Sequence, residues 1–422
     1  MEKKLIIIGA GPAGLASALG ALEAGLCPEN ILILEREDEL GGVLNQCVHS
    51  GFGEYALGES LTGTEYAEHF INEVKKAKIP YLTGTTVLSI TEDKEITVVS
   101  SSLGYTKLKA DAIILAMGCR ERSRGSLRIA GTRPAGVFSA GTVQRFINIE
   151  GYLPGKRAVI FGSGDIGLVT ARRLAIEGAR VLGVYERKPH PTGLDKNIRE
   201  CLDDFEIPFY TGKTVSKILG KERVEGVIIS DVDENLKIIK GTEKLVKCDT
   251  LVLSLGLIPD NIISTDMGVS LHRVTGGAIV NQNYETTVSG VFACGNVLHI
   301  HDYVDHITRE ATKAGFSAGS YILNRIEDTK ICVEIKHNKQ IKYTVPQKIE
   351  FPLLDPSHIA LSYRTLRTME GVTVTLKADN EEIYSEHFDR LIPSRQNKIT
   401  LTAQMLEKIS LSKRLTLEAT ED

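Results

Sequence analysis

The sequence predicts an α/β protein with two parallel-sheet units, each built on a strand, a glycine turn and a helix, followed by a smaller β-rich region. Three observations carry this. An apolar, β-branched run from Leu5 to Ile8 turns through Gly9, Gly11 and Gly14 into a stretch of small residues. The same arrangement returns at Gly162, Gly164 and Gly167. From about residue 330 onward, apolar residues alternate with polar ones, as in half-buried strands.

Leu5 to Ile8 has the make-up of a buried parallel strand. A helix is expected from Pro12 to Ala24, stopped by Gly25. A second strand, Ile31 to Leu34, delivers Glu35 at its end. Strand, G-x-G-x-x-G turn, helix, strand and terminal acid, in that order, form the dinucleotide-binding fingerprint. Gly9 permits the tight turn, Gly11 lets the backbone approach a pyrophosphate, and Gly14 brings helix against strand. Pro12 and Ala13 open the helix, whose N–H groups and positive dipole end suit phosphates. Glu35 can accept from both ribose hydroxyls of an adenosine. Lys3 and Lys4 do not announce a targeting segment: glycines interrupt the apolar run behind them, and Glu23 falls in the helix.

With 422 residues the chain has room for two or three cores. Its 42% apolar and 25% charged content is that of an ordinary globular protein. A net charge of −4 without a basic block argues against nucleic acid as a partner, and no apolar run has membrane-helix length. Cysteines 27, 47, 119, 201, 248, 294 and 332 are scattered, with no pair at C-x-x-C spacing. That suggests neither a structural zinc nor a disulfide framework, and it fits a reducing cytoplasm.

After Glu35 and Arg36 comes Gly41-Gly42-Val43, where the glycine pair allows close backbone approach to a ligand; Cys47 follows. Residues 48–63 read as a loop. A helix over Thr64 to Ala77 places Tyr66, Phe70 and Val74 on one face. Strands are expected at Tyr81–Leu82, Thr86–Ile90 (with Val87), Ile96–Val99 and Asp111–Gly118, the last passing through Ala116. In the second fingerprint, Arg157–Phe161 is the strand, Asp165 to Glu177 (with Ile166) the helix, and Arg180–Tyr185 the strand that presents Glu186. Two complete fingerprints mean two nucleotide sites. Further on, a helix at Lys196–Phe205, strands at Thr250–Leu255, Ala278–Val280 and Val291–Ala293, and a long helix from Val304 to Leu323 are expected. The last region reads as strands at Ile331–Ile335, Ile341–Val345, Val372–Leu376, Ile399–Leu401 and Arg414–Glu418, with turns marked by Pro346, Pro352, Pro356 and Asn380. A sandwich is the expected outcome, and no chemistry is visible in it.

Taken in order, the two fingerprints, Gly41-Gly42, Ala116-Met117-Gly118, Leu255-Gly256-Leu257-Ile258-Pro259 and Val291-Phe292-Ala293-Cys294-Gly295-Asn296 resemble the pyridine nucleotide–disulfide oxidoreductase superfamily over about residues 1–325. The resemblance implies FAD in the first site and a nicotinamide dinucleotide in the second. It further implies an FAD-binding domain split by an inserted NAD(P)-binding domain. The limits are then 1–122 with 279–326, 123–278, and 327–422 for the β-rich domain. It assigns to the cofactors Gly9, Gly11, Pro12, Ala13, Gly14, Glu35, Arg36, Gly41, Gly42, Val43, Val87, Ala116, Gly118, Gly295, Asn296 and Arg309, and, for the nicotinamide nucleotide, Gly162, Gly164, Asp165, Ile166, Gly167, Glu186, Arg187 and Gly256. The stretches Gly41–Cys47, Gly118–Arg122, Gly164–Gly167 and Gly295–Asp302 are similar to flavin subunits of opine oxidase and hydrogen cyanide synthase. They look closest to the flavoprotein associated with anaerobic glycerol 3-phosphate dehydrogenase. That branch works as one subunit of a dehydrogenase complex.

The chain departs from disulfide reductases in having only Cys47 near the flavin motif, in carrying its His190-Pro191-Thr192 just past the second nucleotide motif, and in holding Asn296 where the family has Asp. Cys47 is either a redox thiol or a small buried filler. His299, His301, Asp302 and His306 read as hydrogen-bonding groups at the start of a helix rather than metal ligands. That helix start, with Arg309, suits an anionic reduced flavin. Glu186 favours NAD over NADP, while Arg187 and Lys188 blunt the preference. Asp165 suits a helix N-terminus but crowds a pyrophosphate. Arg120, Arg122 and Arg124 form a basic run at the domain connector.

The leading expectation is an FAD-dependent oxidoreductase that exchanges a hydride with NAD(H) and electrons with a partner subunit. The alternatives are a stand-alone thiol or disulfide reductase using Cys47, and an assembly subunit whose flavin never meets nicotinamide. Homo-oligomers are compatible with all three.

Overall fold

The computed structural model describes residues 2–327, 329–355 and 359–422; Pro356, expected at a turn, lies outside the described residues. Two compact units result: Met1–Asn45, Ser50–Cys119 and Pro259–Asp422 form the first, and Gln46–His49 with Arg120–Ile258 the second.

In the first unit, Glu2–Ile8 is the central strand of a parallel set. Ile31–Leu34 pairs with it on one side (Leu5 opposite Ile31) and Gly104–Leu115 on the other (Ile7 opposite Ile114). Tyr81–Leu82 and Val291–Ala293 extend the parallel set outward. Leu5, Ile6 and Ile7 have no exposed surface, as strands covered on both faces require. The strand expected at 111–118 begins earlier, at Gly104. Its first half pairs antiparallel with Glu95–Ser100, and only its last residues join Val291–Ala293.

Helix Pro12–Glu23 packs against helix Val304–Ile322. A Cβ on Gly20 would stand 2.0 Å from the Thr312 carbonyl, and one on Gly315 would stand 1.9 Å from that of Ser17. The two backbones therefore touch, which explains the small residues on both helices. Helix Gly63–Lys76 starts from a capping box between Thr62 and Glu65. The expected loop at 48–63 contains a two-stranded hairpin, Ser50–Phe52 with Leu61–Thr62. Ala278–Val280 is not a strand; Ala278 makes a single bridge to Leu271.

The C-terminal region of this unit has two sheets around one core. Five strands run in the order Lys348–Phe351, Ile331–His337, Arg414–Glu421, Met369–Ala378 and Glu381–Leu391; three more run Ile341–Val345, Ile359–Thr365 and Asn397–Leu401. Alternate residues such as Val372, Val374 and Leu376 point into the shared core. A helix, Ala403–Leu411, was not expected; its signals were Thr402 at the N-cap and Met405, Leu406 and Ile409 at helical spacing. Tyr343 and Val345 belong to the same buried cluster as Ile6 and Leu115 of the first sheet.

The second unit holds a five-stranded parallel sheet, Val137–Ser139, Thr250–Leu253, Arg157–Phe161, Arg180–Tyr185 and Phe209–Tyr210. A second sheet of four strands accompanies it. The helix expected at Lys196–Phe205 is two pieces, Asp195–Cys201 and a 3₁₀ turn Asp203–Phe205.

Candidate cofactor sites

The two fingerprints are structural copies. Gly9 N–H donates to the Leu34 carbonyl at 2.8 Å, and Gly162 N–H to that of Tyr185 at 2.8 Å. The φ of each first glycine is +101°. A Cβ on Gly14 would fall 1.8 Å from the Gly9 carbonyl oxygen, and one on Gly167 would fall 2.9 Å from that of Gly162. At Gly11, by contrast, a Cβ would meet nothing within 4 Å. The space over that backbone is open. Neither helix start has a side-chain cap at its N-cap glycine, Gly11 or Gly164. Both turns therefore present uncapped N–H groups, the donor set a pyrophosphate needs.

Each strand-end carboxylate is fixed by the backbone. Glu35 Oε2 accepts Ala10 N–H at 2.7 Å and Oε1 accepts Glu37 N–H at 3.0 Å. Glu186 Oε2 accepts Ser163 N–H at 3.0 Å and Oε1 accepts Lys188 N–H at 2.9 Å. Both residues are buried, and each oxygen that accepts one bond keeps a second lone pair. Two ribose hydroxyls fit the Glu35 fork, whereas at Glu186 it is Oε1 that keeps a lone pair for one, Oε2 accepting twice. Ser163 Oγ adds a bond to Glu186 Oε2 that Ala10 cannot supply in the first copy.

Around the first turn, Gly41 N–H donates to the Ala10 carbonyl at 2.9 Å, and a Cβ on Gly42 would lie 2.9 Å from Gly11 Cα. The glycine pair thus lies against the first fingerprint turn. Ala116 crowds Gly9: a Cβ there would stand 2.5 Å from the Ala116 oxygen. Gly295 meets the first helix, since its Cβ would come within 2.7 Å of Ala13 Cβ. Asn296 Oδ1 accepts His301 N–H at 3.0 Å, which leaves the amide N–H groups to donate outward. The Asn in place of Asp therefore keeps a donor for a hydroxylated or phosphorylated ligand. Val43 and Arg36 are exposed, and Arg36 faces Glu37. Val87 lies in Thr85–Ile90 and Gly118 ends the run from Ala116, its carbonyl accepting Asp260 N–H.

Around the second turn, Asp165 is turned into a neighbouring segment rather than toward a phosphate. Its Oδ1 accepts Leu194 N–H at 2.8 Å and Asn197 Nδ2–H at 2.6 Å. Thr192 N–H donates to Ser163 Oγ. So His190-Pro191-Thr192 belongs to a strap over the turn. Arg187 donates to the Leu236 carbonyl. Ile166 packs against the core of this unit. Gly256 has φ +94°, and its carbonyl accepts Arg122 N–H. A cleft of about 400 Å³ opens at the carboxyl ends of Val137–Ser139 and Thr250–Leu253, lined by Glu121, Arg122, Arg124 and Phe138 among others. Ligands of open α/β sheets sit at that edge. The basic run thus has two members in a cleft.

Cys47 belongs to the second unit. Its neighbour Gln46 accepts a bond from Asn148 Nδ2 at 2.8 Å. Burial pushes the Cys47 thiol up to about 12.

The histidine cluster has a centre the sequence reading missed, Glu310. Its Oε2 accepts from His299 Nε2 at 2.8 Å and His301 Nε2 at 3.2 Å, and its Oε1 accepts Gly295 N–H at 2.8 Å. Burial works against a charged Glu310, but the imidazoles outweigh it and hold the carboxyl well below its usual range. Burial, with His301 alongside, lowers His299 to about 4. Three donor atoms converge here, yet the surroundings oppose a divalent ion: Arg364 acts on His299, and Lys398 is drawn to the single carboxylate. Asp302 points elsewhere, to Arg364 of the C-terminal region.

The model of the pyridine nucleotide-disulphide oxidoreductase family matches residues 3–318. The chain belongs to that family. A ferredoxin–NADP reductase of Flavobacterium johnsoniae is 26% identical over 309 residues, 70% of this chain and 82% of that protein. A thioredoxin reductase of Bacillus subtilis is 26% identical over 294 residues, 69% of this chain and 86% of its own length. The structure of T. acidophilum thioredoxin reductase superposes with a TM-score of 0.62 at 24% identity, covering 76% of this chain and 98% of its own, a likeness of fold. As a family member the chain is an oxidoreductase that uses FAD and NAD(P)H, and its two fingerprint turns fit those groups. Among the described residues no helix is long and apolar enough to cross a membrane.

Proposed function

We propose that the chain takes electrons from NADH, rather than NADPH, at the second fingerprint and passes them through FAD held at the first to an acceptor outside the chain. The observation that carries this reading is the doubled carboxylate fork of Glu35 and Glu186, each preset by two backbone N–H groups. FAD, when bound, supplies a centre that accepts two electrons from a nicotinamide and yields them to another partner. The chain's part is positional. Glu186 accepts an adenosine ribose hydroxyl and repels a 2′-phosphate. Arg187, the cation that could attract such a phosphate, is engaged by the Leu236 carbonyl. Gly11 and Gly164 bring N–H groups to the pyrophosphates, and the Gly295-Asn296 turn closes the first site over the helix start. The domain limits 1–122 with 279–326, 123–278 and 327–422 belong to the same proposal.

The acceptor has two readings. The relatives named as thioredoxin and ferredoxin reductases favour a stand-alone reductase, and for a thiol or disulfide acceptor Cys47 is the candidate. Against a thiol route stand the absence of any cysteine pair at C-x-x-C spacing and a thiol held up near 12, far from the thiolate that disulfide exchange needs. The partner-subunit reading, of glycerol 3-phosphate dehydrogenase type, rests on the sequence motifs alone. Cys47→Ser separates the two. We expect the variant to retain NADH-dependent reduction of a dye acceptor within about twofold, because desolvation leaves little thiolate at neutral pH. Loss of disulfide reduction in Cys47→Ser, with dye reduction kept, would make the thiol reading correct.

A further inference from the structure

Buried polar atoms are almost always paired. Among the described residues thirteen buried side-chain atoms lack a partner, and five of them gather in one place: Nδ1 of His299, His301 and His306, and Oε1 and Nε2 of Gln396. They come from two distant stretches that Asp302 ties together. Its Oδ2 accepts Gln396 N–H at 2.6 Å, and its Oδ1 accepts from Arg364. His299, lowered to about 4, is neutral near pH 7 and gives Nε2–H to the Glu310 carboxylate, so its Nδ1 is a bare acceptor; the Nδ1 atoms of His301 and His306 are likewise without a partner. The cluster therefore lacks partners for its imidazole nitrogens and for both ends of the Gln396 amide.

It also lacks an anion. Lys398 and Arg309 repel one another, and neither is matched by an ion pair among the described residues. Burial lowers the Lys398 amine and Arg309 lowers it further, against the opposing charges of Glu310 and Asp302. Glu310 is already spent on two imidazoles and Gly295 N–H, and Asp302 on Arg364 and Gln396. Burial and the neighbouring Lys398 lower His306 to about 4, so it adds no positive charge near pH 7. Tyr55, 60% exposed, stacks on His306 with ring centres 6.2 Å apart. His301 in turn donates its backbone N–H to Asn296, the residue assigned above to the flavin turn.

We propose that His301, His306, Arg309, Gln396 and Lys398 form the binding site of the flavin's second small-molecule partner, an organic anion that carries a hydroxyl or amino group. The anionic end offsets Lys398 and Arg309. The O–H or N–H groups satisfy the bare imidazole nitrogens, and Gln396 can serve either. A carboxylate or a phosphate ester has this chemistry. The C-terminal region, featureless as sequence, thus completes the site. The proposal rests on Gly295-Asn296 lying against the flavin, as in the function proposed above.

The test uses the yellow holoprotein, following the flavin absorbance spectrum while L-malate, L-glutamate, ribose 5-phosphate or sulfate is added. We expect a saturable shift with a hydroxy or amino carboxylate or with the sugar phosphate, and the responder identifies which. Sulfate, which has no donor, should bind about tenfold more weakly or worse. Lys398→Met should weaken the responder about tenfold or more, and Lys398→Arg should restore it. If Lys398→Met does not fold, Gln396→Leu takes its place with the same expectation. No saturable shift with any of the four, sulfate binding as tightly as the responder, or an unchanged shift in the variants would overturn the proposal. A protein that purifies without flavin would instead overturn the placement of the flavin.

Discussion

Replacing Glu186 by Gln is expected to weaken NADH binding by about tenfold to a hundredfold while leaving turnover at saturating NADH nearly unchanged. Hydrogen bonds to a charged acceptor are worth about 1.5–3 kcal/mol, and about 1.4 kcal/mol corresponds to a factor of ten. The carboxylate takes its orientation from Ser163 N–H and Lys188 N–H, and an amide would turn its own N–H groups toward one of them. The ribose bonds are present before and after reaction, so their loss should appear in KM rather than in kcat. Because the charge that repels a 2′-phosphate also disappears, the ratio of NADH to NADPH affinity should fall. Titration of both nucleotides against flavin absorbance measures this. A KM unchanged in Glu186→Gln would remove the residue from the site.

The second large effect is expected at Arg364. From strand Ile359–Thr365 its guanidinium reaches the Asp302 carboxylate, the Ile300 carbonyl at 3.0 Å, the Tyr343 hydroxyl at 2.9 Å and the Ser394 carbonyl. Arg364 and Asp302 are 9% and 15% exposed, so this is a largely dry ion pair. Removing one partner of such a pair costs about 3–5 kcal/mol, because the remaining charge is left buried. Arg364→Met should therefore lose about that much stability in urea unfolding. Adding Asp302→Asn should recover part of it, since the stranded charge goes too. A loss of less than about 1 kcal/mol would place the pair with ordinary surface ion pairs.

The parts of the fold that were legible are those in which chemistry dictates residue type. Gly9, Gly14, Gly162 and Gly167 admit no side chain because a backbone stands within 3 Å of where Cβ would be. Glu35 and Glu186 had to follow apolar strands, and both lie where the pattern put them. The extent of Gly104–Leu115 was not legible, since half of the strand belongs to an antiparallel set with its own alternation. The Arg364–Asp302 tie joins residues 62 apart, and no local spacing reports such a contact. Glu310 carried a weak local signal, an acid beside Ala311, Ala314 and Ala318 in a helix rich in small residues. Gln396 and Lys398 carried none, because in an alternating strand region a lysine and a glutamine look like solvent-facing residues.

The proposed electron path requires a working nicotinamide site that prefers NADH. Anaerobic titration of the yellow protein with NADH and, separately, with NADPH tests it most directly. We predict that about one equivalent of NADH bleaches the flavin band and that NADPH requires a concentration at least about tenfold higher. No bleaching by either nucleotide would contradict the account and leave the second fingerprint without a role in electron transfer.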